Sequence, residues 1–153
     1  MRIVIGSDHR GFDLKSGLVA YLSELAYHVT DLGAATLAPE DDYVAYAAAV
    51  AREVSRDFAG VRGILICGSG VGVSIVANKF ENIRAALALT PDQASAARND
   101  DDANILALAA DYTDLDAARR IVSVFLQTPF SREERHLRRI DAIRSLELNR
   151  SLH

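Results

Sequence analysis

Short apolar runs alternate along the chain with longer stretches of helical spacing. Arg2 to Ser7 is a brief β-like run, after which Leu14, Leu18, Leu22 and Leu25 recur on one helical face. His28 to Leu32 is a weaker strand leading into a loop, and Tyr43, Ala47, Val50, Val54 and Phe58 then return to helix spacing. Gly63-Ile64-Leu65-Ile66-Cys67 is the clearest buried strand, bounded by glycines, and a helix is expected from about Gly72 to Phe80. Ile83 to Leu89 gives a fourth strand and Asn104 to Leu108 a fifth. Between them Thr90-Pro91-Asp92-Gln93 reads as a helix start: a capping Thr, Pro at the first helical position and Gln three residues on. Thr113 is placed to cap a helix carrying Leu115, Ala118, Val122 and Phe125. Ser131-Arg132-Glu133-Glu134 has the form of a capping box opening a last helix from about residue 132.

Five strands joined by helices predict an α/β protein with a parallel sheet covered on both faces, whose ligands bind beyond the carboxyl ends of the strands. A chain of 153 residues, 50% hydrophobic, suits a single domain over 1–153. Its one cysteine cannot form an internal disulfide, and no Cys/His cluster has zinc spacing, so no metal and a reducing, cytoplasmic setting are expected. The first residues lack the charged lead and long apolar stretch of a signal peptide, and no run is long enough to cross a bilayer. A net charge of −4 with scattered basic residues argues against a nucleic-acid surface, but leaves room for a local anion site.

Candidate chemistry gathers at strand ends. Ser7-Asp8-His9-Arg10-Gly11 follows the first strand, Cys67-Gly68-Ser69-Gly70-Val71-Gly72 ends the third, Asp111 follows the fifth, and Asn99 to Asp102 stand just before the fifth. The glycines let the backbone turn tightly at a helix start, aiming N–H groups at a developing oxyanion and favouring the thiolate of Cys67. A cysteine ending a buried strand is ordinarily a small hydrophobe, and its place before Gly-x-Gly-x-Gly is what gives it a chemical reading. That loop is neither Gly-x-Gly-x-x-Gly nor a Walker sequence. Asp8 and His9 alone fit a polar turn equally well. His28 and His153 read as structural or incidental. Arg135 and Arg139, four apart, form a like-charge pair that a bound anion would reward, although Glu133, Glu134 and Asp141 also fit an ordinary solvated helix.

Gly-Ser-Asp-His-Arg-Gly-Phe, Ile-Cys-Gly-Ser-Gly-Val-Gly-Val-Ser-Ile-Val-Ala-Asn-Lys, Ile-Arg-Ala-Ala-Leu and Arg-His-Leu-Arg-Arg-Ile occur in that order. Together they make the chain resemble, over nearly its whole length, the ribose-5-phosphate isomerase B family, which includes galactose-6-phosphate isomerase subunits. The resemblance implies a three-layer α/β/α Rossmann-like sandwich, a homodimer or tetramer with active sites shared between subunits, and no metal or nucleotide cofactor. It implies an aldose-ketose isomerase in which Cys67 moves a proton between C1 and C2 through a cis-enediolate. Backbone groups of Gly68, Gly70, Val71 and Gly72, with the Ser69 hydroxyl, would hold the enediolate oxygens. His9, Arg135 and Arg139 match phosphate-binding positions, Asp8 a sugar-hydroxyl contact and Tyr43 a pocket position.

The chain departs from the family in two places. Where ribose-specific members carry His-Asn-Asp-x-Asn, with a ring-opening histidine, this chain has Asp100-Asp101-Asp102-Ala103-Asn104. Where the family often has Gly-x-Arg after the fifth strand, it has Ala109-Ala110-Asp111. A unit charge ~8 Å from another at an effective dielectric of ~20 is worth about 2 kcal/mol, enough to alter the binding of a dianion. Asp100 is the candidate to replace the histidine as an acid-base group, with Asp101 beside it. Alternatively no ring need be opened: a tetrose 4-phosphate cannot close a five-membered ring through its blocked O4. The same departures also fit a hexose 6-phosphate substrate, or a non-catalytic sugar-phosphate-binding subunit. Dinucleotide binding lacks its acidic ribose-binding residue, since Ala88 falls near that position.

Overall fold

The computed structural model describes residues 1–150, so His153 lies outside the described residues. Five strands, β1 (Arg2–Ser7), β2 (His28–Asp31), β3 (Val61–Cys67), β4 (Ala85–Leu87) and β5 (Ile105–Ala109), pair in parallel in the order β2-β1-β3-β5-β4. The helices are α1 (Phe12–Glu24), α2 (Tyr43–Arg56), α3 (Val71–Ala77), α4 (Pro91–Asp101), α5 (Leu115–Gln127) and α6 (Glu134–Arg150).

Right-handed crossovers decide the layers. The chain moves one way along the sheet from β1 to β2 and the other way from β2 to β3, so α1 and α2 fall on opposite faces. Alternate strand residues serve the two sides. Ile3, Ile5, Ile64, Ile66, Leu106 and Leu108 pack with Leu18 and Leu22 of α1 and with Ile121, Val122 and Phe125 of α5. Val4, Leu65, Cys67, Ile105 and Ala107 face Val50 and Val54 of α2 and Val73 of α3. The three-layer α/β/α sandwich follows, and Cys67 belongs to the α2–α3 side. α1 is also tied to the sheet by an ion pair: the buried Lys15 Nζ donates to Asp31 Oδ2 at 2.5 Å and to the Ala34 carbonyl at 3.1 Å.

Three element ends differ from the sequence expectation. β4 covers only Ala85–Leu87: before it Asn104 accepts from the Arg84 N–H at 2.9 Å and donates to the Asn82 carbonyl at 2.7 Å, and after it the Leu89 N–H goes to the Gln93 side chain at 2.7 Å. Asp114, not Thr113, caps α5, accepting from the Ala117 N–H at 2.8 Å, while the Thr113 hydroxyl is buried without a partner. The capping box at Ser131 does not close either. Arg132 has φ 58°, which interrupts the helical path, and α6 begins at Glu134. Ser131 Oγ instead bonds His136 Nδ1 at 2.7 Å. The Thr90 cap forms as expected, accepting from the Gln93 N–H at 3.2 Å.

Candidate active site

The strand order reverses at β1 and β3, and ligands of open parallel sheets bind in the crevice beyond such a reversal. Ser7 pairs in register with Ile66, and Cys67 with Ala109, so the ends of β1, β3 and β5 form one rim. The carbonyl of Cys67 accepts from the Ala110 N–H at 2.9 Å, and that of Gly68 from the Asp111 N–H at 3.0 Å.

Cys67 is 5% exposed at the floor of this rim, beneath the glycine turn. Gly70 has φ 73°, a left-handed conformation that favours glycine, and aims its N–H at Cys67 Sγ, 3.2 Å away. Ser69 Oγ accepts from the Val71 N–H at 3.3 Å, leaving its hydroxyl proton to donate elsewhere. Tyr43, the first residue of α2, lays its ring against Gly72, where an added Cβ would come within 2.6 Å of Tyr43 Cζ.

Asp8 caps the turn after β1. Its Oδ1 accepts from the N–H of Arg10 at 3.0 Å and of Gly11 at 3.2 Å, and its second oxygen takes no part in the cap. His9 is held by Asp41, whose Oδ1 lies 2.9 Å from the His9 N–H and 2.8 Å from Nδ1. Because a carboxylate only accepts, that bond places a proton on Nδ1. Burial opposes ionisation of Asp41, but the His9 ring and backbone bonds and the nearby Tyr46 hydroxyl outweigh it and lower its pKa. Asp41 Oδ2 nonetheless lacks a partner in full hydrogen-bond geometry. The Tyr46 hydroxyl is pushed above its ordinary pKa by desolvation first, then by the charges of Asp41 and Asp8.

Asp8, His9, Tyr43, Cys67, Gly68, Ser69, Gly70, Val71 and Gly72 therefore meet at one rim. Asp100, Asp101, Arg135 and Arg139 do not join them. The segment preceding a parallel strand enters at the opposite edge of the sheet, and β5 alone spans roughly 13 Å between its ends. There Asp100 Oδ1 accepts from Asn99 Nδ2 at 2.7 Å and lies 3.8 Å from Nε2 of the buried His136. Asp101 lines a groove with Arg84, Ile143 and Leu146. Arg135 Nε bonds Glu133 at 2.8 Å, and Arg139 is exposed on the next turn of α6. Asp102 is spent within the chain, bridging Arg98 at 2.7 Å and Arg84 at 3.0 Å.

The sequence places Arg10 in the segment after β1 without giving it a role, and nothing in it singles out Asp41 or Tyr46. Arg10 extends over Gly68 and bonds the carboxylate of Asp111, closing one side of the rim. Among the described residues, no group of His, Cys, Asp and Glu side chains is placed to hold a metal ion.

An open parallel sheet with a thiol, a glycine turn and an Asp-His pair at its reversal point has the form of a small-molecule site of the α/β class. Residues 3–143 match the Ribose/Galactose Isomerase family. Ribose-5-phosphate isomerase B of Escherichia coli K12 is 39% identical over 150 residues, covering 98% of this chain and 99% of its own. The protein of the same name from Mycolicibacterium paratuberculosis is 37% identical over 147 residues, covering 96% of this chain and 92% of its own. Among solved structures, ribose-5-phosphate isomerase B from Mycoplasma genitalium with bound ribulose-5-phosphate superposes with a TM-score of 0.93 at 39% identity, covering 95% of each chain. The chain belongs to the ribose/galactose isomerase family, and its class of activity is that of an aldose-ketose isomerase of sugar phosphates. No helix among the described residues is long and apolar enough to cross a membrane.

Proposed function

We propose that this chain interconverts an aldose phosphate and its ketose, with ribose 5-phosphate and ribulose 5-phosphate as the first substrates to test, and with Cys67 as the base. One observation carries the assignment of the base: a thiol at the floor of the rim, with the Gly70 N–H 3.2 Å from its sulfur. That donor stabilises negative charge on sulfur, the form that abstracts a proton. The thiolate takes the proton from C2 of the open-chain aldose, and the electron pair moves onto O1 to give the cis-enediolate. The enediolate oxygens lie against the N–H groups of the turn from Gly68 to Gly72 and the Ser69 hydroxyl. A proton then passes from O2 to O1, and as the C2–O2 carbonyl forms the thiol returns its proton to C1, giving the ketose. Preorganised donors of this kind act on the charge that develops in the transition state. Asp8 holds sugar hydroxyls, His9 the phosphate, and Tyr43 walls the pocket over Gly72.

Asp100, Asp101, Arg135 and Arg139 sit on the far edge of the sheet, so in this reading a second copy of the chain brings them to the Cys67 rim. Homodimer or tetramer formation, expected from the sequence, is then a condition of a complete site. Asp100, backed by His136, takes the place of a ring-opening histidine.

A second reading is favoured by that same position. With a carboxylate there, an acyclic tetrose 4-phosphate needs no ring opening. The test is isomerisation of a panel from tetrose to hexose phosphates, with solvent-proton exchange at the substrate carbon and Cys67→Ala as control. Pentose turnover supports the first reading and turnover confined to tetrose the second. Full activity of Cys67→Ala would remove the base.

A further inference from the structure

The turn after β1 places one cation over the Cys67 rim. An added Cβ at Gly68 would lie 2.7 Å from Arg10 Cζ and Nε and 2.9 Å from Nη1, so the guanidinium rests on the glycine turn itself. Its Nη2 is bound by the Asp111 carboxylate, and Asp111 is fixed in turn by its backbone bond to the Gly68 carbonyl at 3.0 Å. The ends of β1, β3 and β5 thereby hold one side chain between them.

A guanidinium carries five N–H donors and Asp111 occupies only one group, so Nε and Nη1 stay available above Gly68. Arg10 is 56% exposed and Asp111 34%, whereas Cys67 is 5% exposed. The cation therefore stands at the rim and the base at the floor. Adding the contact, one Cβ bond and one Cα step puts the guanidinium carbon within about 8 Å of the Cys67 Cα. A sugar whose C1–C2 bond lies on Cys67 carries its far-end phosphate outward to this rim. Stability alone gives little reason for the arrangement, since an exposed ion pair contributes about 0–1 kcal/mol.

We propose that Arg10 binds the substrate phosphate and that Asp111 is its positioning residue, so that this chain supplies from β1 a cation that the Gly-x-Arg pattern would supply after β5. The inference rests on the sugar-phosphate reading above. Removing a charge-assisted bond of this kind costs about 10- to 100-fold in affinity.

The experiment measures isomerase KM and kcat, and separately the affinity for inorganic phosphate by phosphorus NMR titration. It compares the wild type with Arg10→Ala, Arg10→Lys, Asp111→Asn and the exchange Arg10→Asp with Asp111→Arg. In Arg10→Ala, KM and the phosphate dissociation constant should both rise by about 10-fold or more, the loss falling on KM rather than kcat. Arg10→Lys, which keeps the charge without the fork, should lose less, and Asp111→Asn about 3- to 10-fold. The exchange should regain most of the affinity. An active wild type whose KM and phosphate affinity are unmoved by Arg10→Ala and Arg10→Lys overturns the proposal and leaves the isomerase reading standing. A wild type inactive on every sugar phosphate, but whose phosphate affinity still falls in Arg10→Ala, upholds the anion site and overturns the reaction. Absence of both turnover and phosphate binding overturns both.

Discussion

Gly70→Ala tests the geometry on which the site depends. At φ 73° an alanine costs about 1–2 kcal/mol in backbone strain. The new methyl would also lie 2.5 Å from Leu87 Cδ1 and 3.0 Å from the carbonyl carbon and oxygen of Leu108. The leucine side chain can turn aside, but the carbonyl belongs to β5 and cannot, so overpacking adds about 1–3 kcal/mol. The sum, about 2–5 kcal/mol, corresponds to a fall in Tm of about 5–15 °C for a chain of this size. Gly68→Ala is the comparison. Its φ is not positive, and its methyl meets only the flexible end of Arg10, so its Tm should fall by about 2 °C at most. Thermal unfolding of both variants at one protein concentration, with turnover measured alongside, reads the difference. A Gly70→Ala protein that melts within 2 °C of the wild type while Gly68→Ala falls further would refute the backbone argument, the threshold being about half the change per kcal/mol.

Asp31→Ala leaves the buried Lys15 ammonium with the Ala34 carbonyl and the Phe12 ring but no counter-charge and should cost about 3–5 kcal/mol in urea unfolding, with Lys15→Met/Asp31→Ala recovering much of it. Thr113→Val removes a buried, unpartnered hydroxyl and should raise stability by about 1 kcal/mol, whereas Asp114→Ala removes the working cap and should lower it by about the same amount. Asp41 has its pKa lowered in the fold, so its contribution is fully present above the unfolded carboxylate value and is lost as pH falls through the folded one. Urea midpoints of the wild type and Asp41→Asn should accordingly differ above about pH 4 and converge below it. A gap that stays constant down to the acid limit would count against this.

Periodicity revealed the strands and helices whose burial is one-sided or complete, such as β3 and α5, because burial is what writes apolar spacing into a sequence. It overran β4, where the flanking N–H groups of Arg84 and Leu89 go to the side chains of Asn104 and Gln93. It also chose Thr113 over Asp114, since adjacent residues of equal capping chemistry are separated only by where the backbone aims the Ala117 N–H. At the site, Asp8, His9 and the turn from Cys67 to Gly72 were legible because strand ends of a parallel sheet gather there. Asp100 and Asp101 come from the family pattern that precedes β5, and because the residue before a parallel strand stands at its far end, within one chain they lie away from this rim. Arg10 stands in that strand-end segment with no role of its own to read: an arginine in a polar turn is ordinary, and the carboxylate that makes it otherwise is 101 positions away.

The sole thiol of the chain lies under the glycine turn, so sulfur chemistry has a single address and a single door. An alkylating reagent has to come down the same rim as the substrate, since Cys67 is only 5% exposed at its floor, which makes labelling a counter of access to that rim rather than of general surface accessibility. Mass-resolved labelling rates would then follow how open this one rim stands in the intact protein, with no engineered reporter.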